Sequence, residues 1–182
     1  MAEMVEVVID SIRVSLMSQQ RIVILREVDN ERYLPIWIGT PEADSITIAL
    51  QEVEVARPLT HDLVKNIFNS LDARVLRVEV VALRDDTFYG NIVAEIDGRT
   101  VNIDSRPSDA LAIAVRTHVP ILVTQSVMDT AGIIPEEDMQ EGEEEVFDAP
   151  DTGSERLSVF EDFFESMSSD EDEEEDDGDE TD

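Results

Sequence analysis

The sequence predicts an α+β domain built from two copies of a strand-strand-strand-helix unit around a mixed or antiparallel sheet, followed by a disordered acidic C-terminal tail. Three observations predict this. Segments rich in β-branched residues, with partial alternation, come in threes. Each trio is followed by a proline-opened apolar stretch of helical length. Acidic residues are concentrated in 136–182, and the run SSDEDEEEDDGDETD (168–182) has no apolar surface to bury.

Taken in order, VEVVIDSIRVSL (5–16), RIVILREV (21–28) and ERYLPIWIG (31–39) read as strands, with Asp29-Asn30 suited to a tight turn before the third. Pro41 opens a helix to about Gln51, because the N–H it lacks would be unpaired at a helix start anyway. Thr60 is expected to cap a second helix through Leu71, with Leu63, Val64, Ile67 and Leu71 on one face. The pattern then repeats. Strands are expected within 74–84, 86–96 and 99–104, a helix over 107–117, a strand over 120–124 and a short helix to about Ala131. Gly132 should end that helix as a C-terminal glycine.

The repetition is visible in the letters. LPIWIGTPEADSITIAL (34–50) aligns with TVNIDSRPSDALAIAV (100–115) when Pro41 is matched to Pro107 and one residue is inserted before Asp44. VEVV occurs at 5–8 and again at 78–81, and Thr60 before HDLVKNIF answers Thr124 before QSVMDTAG. The offset drifts from 73 to 64, as expected of a diverged duplication with unequal loops. This alignment sets Thr40, a good helix cap, against Arg106, whose side chain has no acceptor for a free backbone N–H.

At 182 residues and 42% apolar content the chain can bury one core of ordinary size. No run approaches 18 apolar residues, and the N-terminus is acidic where a secretory signal would be basic, so a cytoplasmic protein with no membrane partner is expected. Cysteine is absent and only His61 and His118 are present, which excludes disulfides and cysteine-ligated zinc. Any metal site must be mostly carboxylate, suiting Mg²⁺ or Mn²⁺. The net charge of −31 is unevenly spread: residues 1–135 hold 20 acidic and 12 basic residues, and 136–182 hold 24 acidic and one basic. We divide the chain into a domain over 4–139, an acidic linker over 140–152, an amphipathic helix over 153–167 and a disordered acidic tail over 168–182. In the third segment Leu157, Phe160, Phe164 and Met167 fall at helical spacing, so it either docks on the domain or meets a protein partner.

YLPIWIGTPEADSI, RPLTHDLVKNIF, VNIDSRPSDALAIAVR and PILV followed by GI resemble, in order, the motifs of the bifunctional nuclease domain family. The resemblance implies an α+β fold, frequent homo-oligomers, and DNase or RNase activity of low sequence specificity. It transfers no residue-level mechanism.

Catalytic residues must therefore be argued from chemistry. A metal-dependent nuclease needs carboxylates to hold a cation and a basic group to hold phosphate. Asp109, Asp104, Arg106 and His61 are the catalytic candidates; Arg106, Arg57 and Lys65 are candidates for binding nucleic acid; Asp44, Glu42 and Asp109 are candidates for a divalent cation, with no organic cofactor expected. Bland readings stand beside these. Acids in a first helical turn favour the positive end of the helix dipole. Arg106 could equally pair with a carboxylate of the sister repeat, and His61 could be a surface or interface residue. Net negative charge in 1–135 opposes phosphate binding, although eight of its 12 basic residues lie between 57 and 116. The alternative function is a non-enzymatic oligomeric binding or regulatory module, and no P-loop, nucleophile elbow or Rossmann fingerprint points elsewhere.

Overall fold

The computed structural model of the chain describes residues 3–15 and 20–134. The segments assigned to the linker, the amphipathic helix and the tail lie outside the described residues. Seven strands and four helices follow one another as β1 (Met4–Val14), β2 (Arg21–Glu27), β3 (Tyr33–Ile38), α1 (Thr40–Leu50), α2 (Thr60–Ser70), β4 (Arg74–Arg84), β5 (Thr87–Ile96), β6 (Arg99–Ser105), α3 (Pro107–Thr117), β7 (Ile121–Thr124) and α4 (Gln125–Ala131). The strands form one mixed sheet in the order β3-β2-β1-β7-β4-β5-β6.

The duplication is visible in that order. Each copy is an antiparallel meander followed by a proline-containing helix, and the two meanders run outward from the centre in opposite directions. β7 joins them, pairing antiparallel with β1 and parallel with β4. The first copy has no counterpart to β7: between α1 and α2 the chain is irregular.

Pairing register assigns the faces, since directly opposed residues point the same way and neighbours along a strand alternate. Val7, Leu25, Leu34, Ile36, Val78, Val80, Ile92, Ile121 and Val123 make the inner face and are buried in one core. Into this core goes α3, with eight of its eleven residues buried, against three in α1 and none in α2. The small side chains of Ala110, Ala112 and Ala114 let α3 approach β4 and β5 closely, and α1 and α2 pack on its exposed flanks. Gly90 permits the closest approach. A Cβ there would lie 2.8 Å from Pro107 N and 2.9 Å from Ser105 O, so glycine is required for the β6–α3 turn to sit on β5.

Three details of the helix ends differ from the sequence reading. α1 begins at Thr40 with Gly39 as its cap residue, because the Ala43 N–H bonds the Gly39 carbonyl; in α3 the equivalent bond runs from Ala110 to Arg106. The structural counterpart of Arg106 is therefore Gly39, and proline sits one position deeper in α1 than in α3. Either place is tolerated, since the first N–H groups of a helix have no intrahelical partner. Thr60 is likewise the first helical residue of α2, behind Leu59. Gly132 does end α4, but in extended conformation with φ −73° and ψ 140°; a Cβ there would meet the Met128 carbonyl. The left-handed helix end belongs instead to His118 after α3, at φ 54°.

Candidate active site

Three helix starts converge on one point. α1 contributes Glu42 at its third helical position, α3 contributes Asp109 at the same position with Arg106 as its cap residue, and α2 contributes His61 at its second. Arg106 donates from Nε to Asp109 Oδ2 at 2.8 Å, and from Nη2 to Asp109 Oδ1 at 3.1 Å and Glu42 Oε1 at 2.6 Å. The counterpart carboxylates of the two repeats are thus held by one guanidinium. His61 Nε2 lies 3.2 Å from Asp109 Oδ1, and its Nδ1 lies 2.8 Å from Ser45 Oγ, one turn along α1 from Glu42. The result is a continuous chain, Ser45–His61–Asp109–Arg106–Glu42, linking three helices.

The electrostatics follow from these contacts. Burial works against ionisation of Asp109, but hydrogen bonds from Arg106 and His61 outweigh it and hold its carboxyl below the usual carboxylate range. Hydrogen bonds to Asp109 and Glu42 raise the already high Arg106 value further, so it stays charged. Arg106 is nonetheless 66% exposed, while Ser45 is buried. The positive ends of the helices favour anions here, whether the protein's own carboxylates or a bound one.

A second pair supports the first. Arg116, buried in α3, donates from Nε to Asp62 Oδ1 at 2.6 Å and from Nη1 to the Ala112 carbonyl, and the other Asp62 oxygen accepts the Leu59 N–H. Burial opposes the charge on Asp62, yet Arg116 and the Leu59 N–H keep its pKa lowered. This pairing anchors the start of α2, and with it His61, to α3.

The candidates read from the sequence divide accordingly. Glu42, His61, Arg106 and Asp109 come together. Asp44 is exposed on α1 two residues from Glu42, and residues so spaced on a helix face different ways. Asp104 is opposed to Asn91, whereas the neighbouring Ser105 is opposed to Gly90, beneath the start of α3; alternation therefore turns Asp104 to the far face of the sheet. Arg57 is exposed in the α1–α2 connection, and Lys65 is half-buried in α2 beside Asp62. Ser45, the Asp62–Arg116 pair and the buried Glu27, held by Arg32 at 2.6 Å, went unrecognised in the sequence. Ser45 had a signal: it sits three residues beyond Glu42, at a spacing that shares a helix face.

Among the described residues no three His, Cys, Asp or Glu side chains group as a metal site. What the cluster offers a cation is the carboxylate pair Glu42 and Asp109, both engaged by Arg106. A cavity of about 460 Å³ lies elsewhere, lined by Ile9, Leu50, Val115 and Ile121 near the C-terminal ends of α1 and α3. It contains none of the converging polar groups, so the chemistry rather than the volume locates the candidate site.

No helix among the described residues is long and apolar enough to cross a membrane. The chain is 38% identical over 166 residues to an uncharacterized protein of Mycobacterium tuberculosis, covering 91% of this chain and 96% of that one. It is 30% identical over 118 residues to bifunctional nuclease 2 of Oryza sativa subsp. japonica, and 28% identical over 103 residues to bifunctional nuclease 1 of Arabidopsis thaliana. Those matches cover 63% and 55% of this chain but only 36% and 32% of the plant proteins. The model of the bifunctional nuclease domain matches residues 23–136, a stretch that holds every member of the converging cluster, and the chain belongs to that family.

Proposed function

We propose that the chain is a nuclease of low sequence specificity that hydrolyses phosphodiester bonds in DNA or RNA with the aid of a divalent cation. The observation that carries this reading is the Ser45–His61–Asp109–Arg106–Glu42 chain at three converging helix starts. A proton-accepting imidazole, paired carboxylates and a solvent-reaching guanidinium are the groups phosphodiester hydrolysis needs. The names of the plant relatives support the same activity.

In this reading an incoming phosphate takes over the guanidinium of Arg106, whose planar fork matches phosphate as well as carboxylate. Glu42 and Asp109, relieved of that partner, are the residues that would hold Mg²⁺ or Mn²⁺. Such a cation, when bound, lowers the pKa of attacking water and offsets charge on the phosphate. His61 takes the proton of the attacking water at Nδ1 once the Ser45 hydroxyl turns aside from that nitrogen, with Asp109 stabilising the resulting imidazolium at Nε2. The test is incubation of pure protein with RNA and with single-stranded DNA, with and without a chelator. Cleavage that the chelator abolishes and His61→Ala lacks supports the reading, whereas absence of cleavage in the presence of Mg²⁺ and Mn²⁺ sinks it.

A second reading, a non-enzymatic binding module, is favoured by one specific observation. Both nitrogens of His61 already have partners, and Arg106 neutralises Glu42 and Asp109, so the cluster is also a well-satisfied tie between three helices. The same experiment separates the two.

A further inference from the structure

The sheet face turned away from the core is not alike along its length. On β1–β2–β3 register places Tyr33, Pro35 and Trp37 of β3 on this outer face, opposite Arg26, Ile24 and Ile22 of β2. Ile22 is in turn opposite Arg13 of β1. Trp37, the only tryptophan in the chain, is 56% exposed on an edge strand, and Arg13 is exposed two strands away in the same row across Ile22. A large aromatic left in water forgoes the burial that normally dominates its energetics, which points to a partner able to cover it.

We propose that this face is a landing surface for single-stranded nucleic acid, with Trp37 and Tyr33 as stacking platforms. Tyr33 and Trp37 are four residues apart on one face, about 13 Å at roughly 3.3 Å per residue, so each ring can hold its own base. Ile22 and Ile24 lie on the same face beside the rings, and Arg13 and Arg26 on that face supply positive charge. Arg26 now reaches Asp10 across 3.7 Å, an exposed contact that phosphate can displace. Bases have π-faces whatever their identity, so such a surface binds without sequence preference.

The size of the patch argues against a second copy of the chain as the occupant. Three strands at about 4.8 Å spacing and a length of about 13 Å cover on the order of 150 Å², far below the roughly 800 Å² per partner of a stable interface. Position argues for substrate. Trp37 stands two residues ahead of Gly39, the cap residue of the helix that carries Glu42, so although its face is turned away from that helix, a strand lying on it reaches the candidate site by passing round the edge of the sheet at the end of β3. The proposal rests on the nuclease reading in making the strand on this surface the substrate, but its measurement does not need cleavage.

Because Trp37 is the sole tryptophan, its emission reports directly on this face. Titration of the full chain with a single-stranded thymidine oligonucleotide should quench it saturably, and a duplex of equal length should do so much more weakly. With a labelled oligonucleotide, Trp37→Ala should lose affinity at least about five-fold, the low end for one stacked base, and Trp37→Phe should recover most of it. Cleavage of the oligonucleotide with no change in Trp37 emission overturns the proposal and leaves the nuclease reading standing. Quenching without cleavage supports the surface and overturns the nuclease reading. Emission that shifts with protein concentration alone, and is indifferent to oligonucleotide, assigns the face to a second copy and overturns the proposal.

Discussion

On the outer face of the first copy lie Tyr33, Trp37, Ile22, Arg13 and Arg26; at the corresponding face of the second lie Glu79, Asn91, Asn102 and Asp104. The second group is largely closed on itself, with Glu79 taking hydrogen bonds from Arg77 at 2.7 Å and Asn91 at 3.2 Å. The helices differ in the opposite sense. α3 of the second copy has eight of its eleven residues buried in the core, whereas α1 of the first packs on its flank with three of its eleven buried. One duplicated unit has thus divided its labour: the second copy supplies the rigid centre and Arg106, while the first supplies Glu42, Ser45 and an open aromatic face. Their common ground is the place where the two helix starts meet.

The largest effect should come from the buried helix. Leu111→Ala removes a fully buried side chain of α3 and should cost about 2–5 kcal/mol, read as a lowered denaturation midpoint; Leu50→Ala, exposed at the end of α1, should stay within about 0.5 kcal/mol. Equal losses would break the comparison. Next, Asp109→Asn removes the group that binds both His61 and Arg106 and should lower any nuclease rate by at least about 100-fold while the chain stays folded. An unchanged rate in that folded variant would take the cluster out of catalysis.

Gly90→Ala should destabilise by about 1–3 kcal/mol, because the added methyl meets backbone atoms of the β6–α3 turn that cannot swing aside. Gly98→Ala, in a turn where nothing lies within 4 Å, tests instead for the cost of a left-handed φ of 72° without any clash. Acid should act through the paired carboxylates. Asp109, Asp62 and Glu27 have folded values below their unfolded ones, so their contribution is complete above about pH 4 and is lost as pH falls through the folded values. Glu27→Gln should lower the melting temperature at pH 7 and flatten its fall between pH 5 and pH 2. Among the polar substitutions, the smallest effect on stability belongs to Arg106→Thr. Its guanidinium is two-thirds exposed, so the loss should be at most about 1 kcal/mol, although activity should fall with Asp109→Asn. A large melting shift with intact cleavage would make Arg106 a structural tie alone.

Much of this was legible in the letters, for reasons that can be named. β-branched alternation and proline-opened apolar runs mark the strands and helices with few competitors, and the repeat of VEVV and of the two proline motifs exposes the duplication. Arg106, Asp109, Glu42 and His61 stood out because polar residues at helix starts are few and well spaced. The offset at Thr40 was not legible, because proline is accepted at either of the first two helical positions and the hydrogen bond from Ala43 to Gly39 decides between them. Ser45 was hidden inside an apolar-looking helix, where a hydroxyl is usually satisfied by its own backbone. The separation of Asp104 from Asp109 needed the sheet: only register tells which face a residue in β6 takes.

The joining strand has one more consequence, for the order in which the chain can fold. β1 begins at Met4 and its inner edge is completed only by β7, where Met4 pairs with Thr124. During synthesis the first meander can form early, from local hairpins, but its edge at β1 stays unpaired until almost the whole domain has emerged. Closing that contact carries the loop entropy of more than a hundred residues, which favours its forming late in folding. Until then the open edge is a template for another nascent chain, and the brevity of β7, four residues, means that little ladder has to form to seal it.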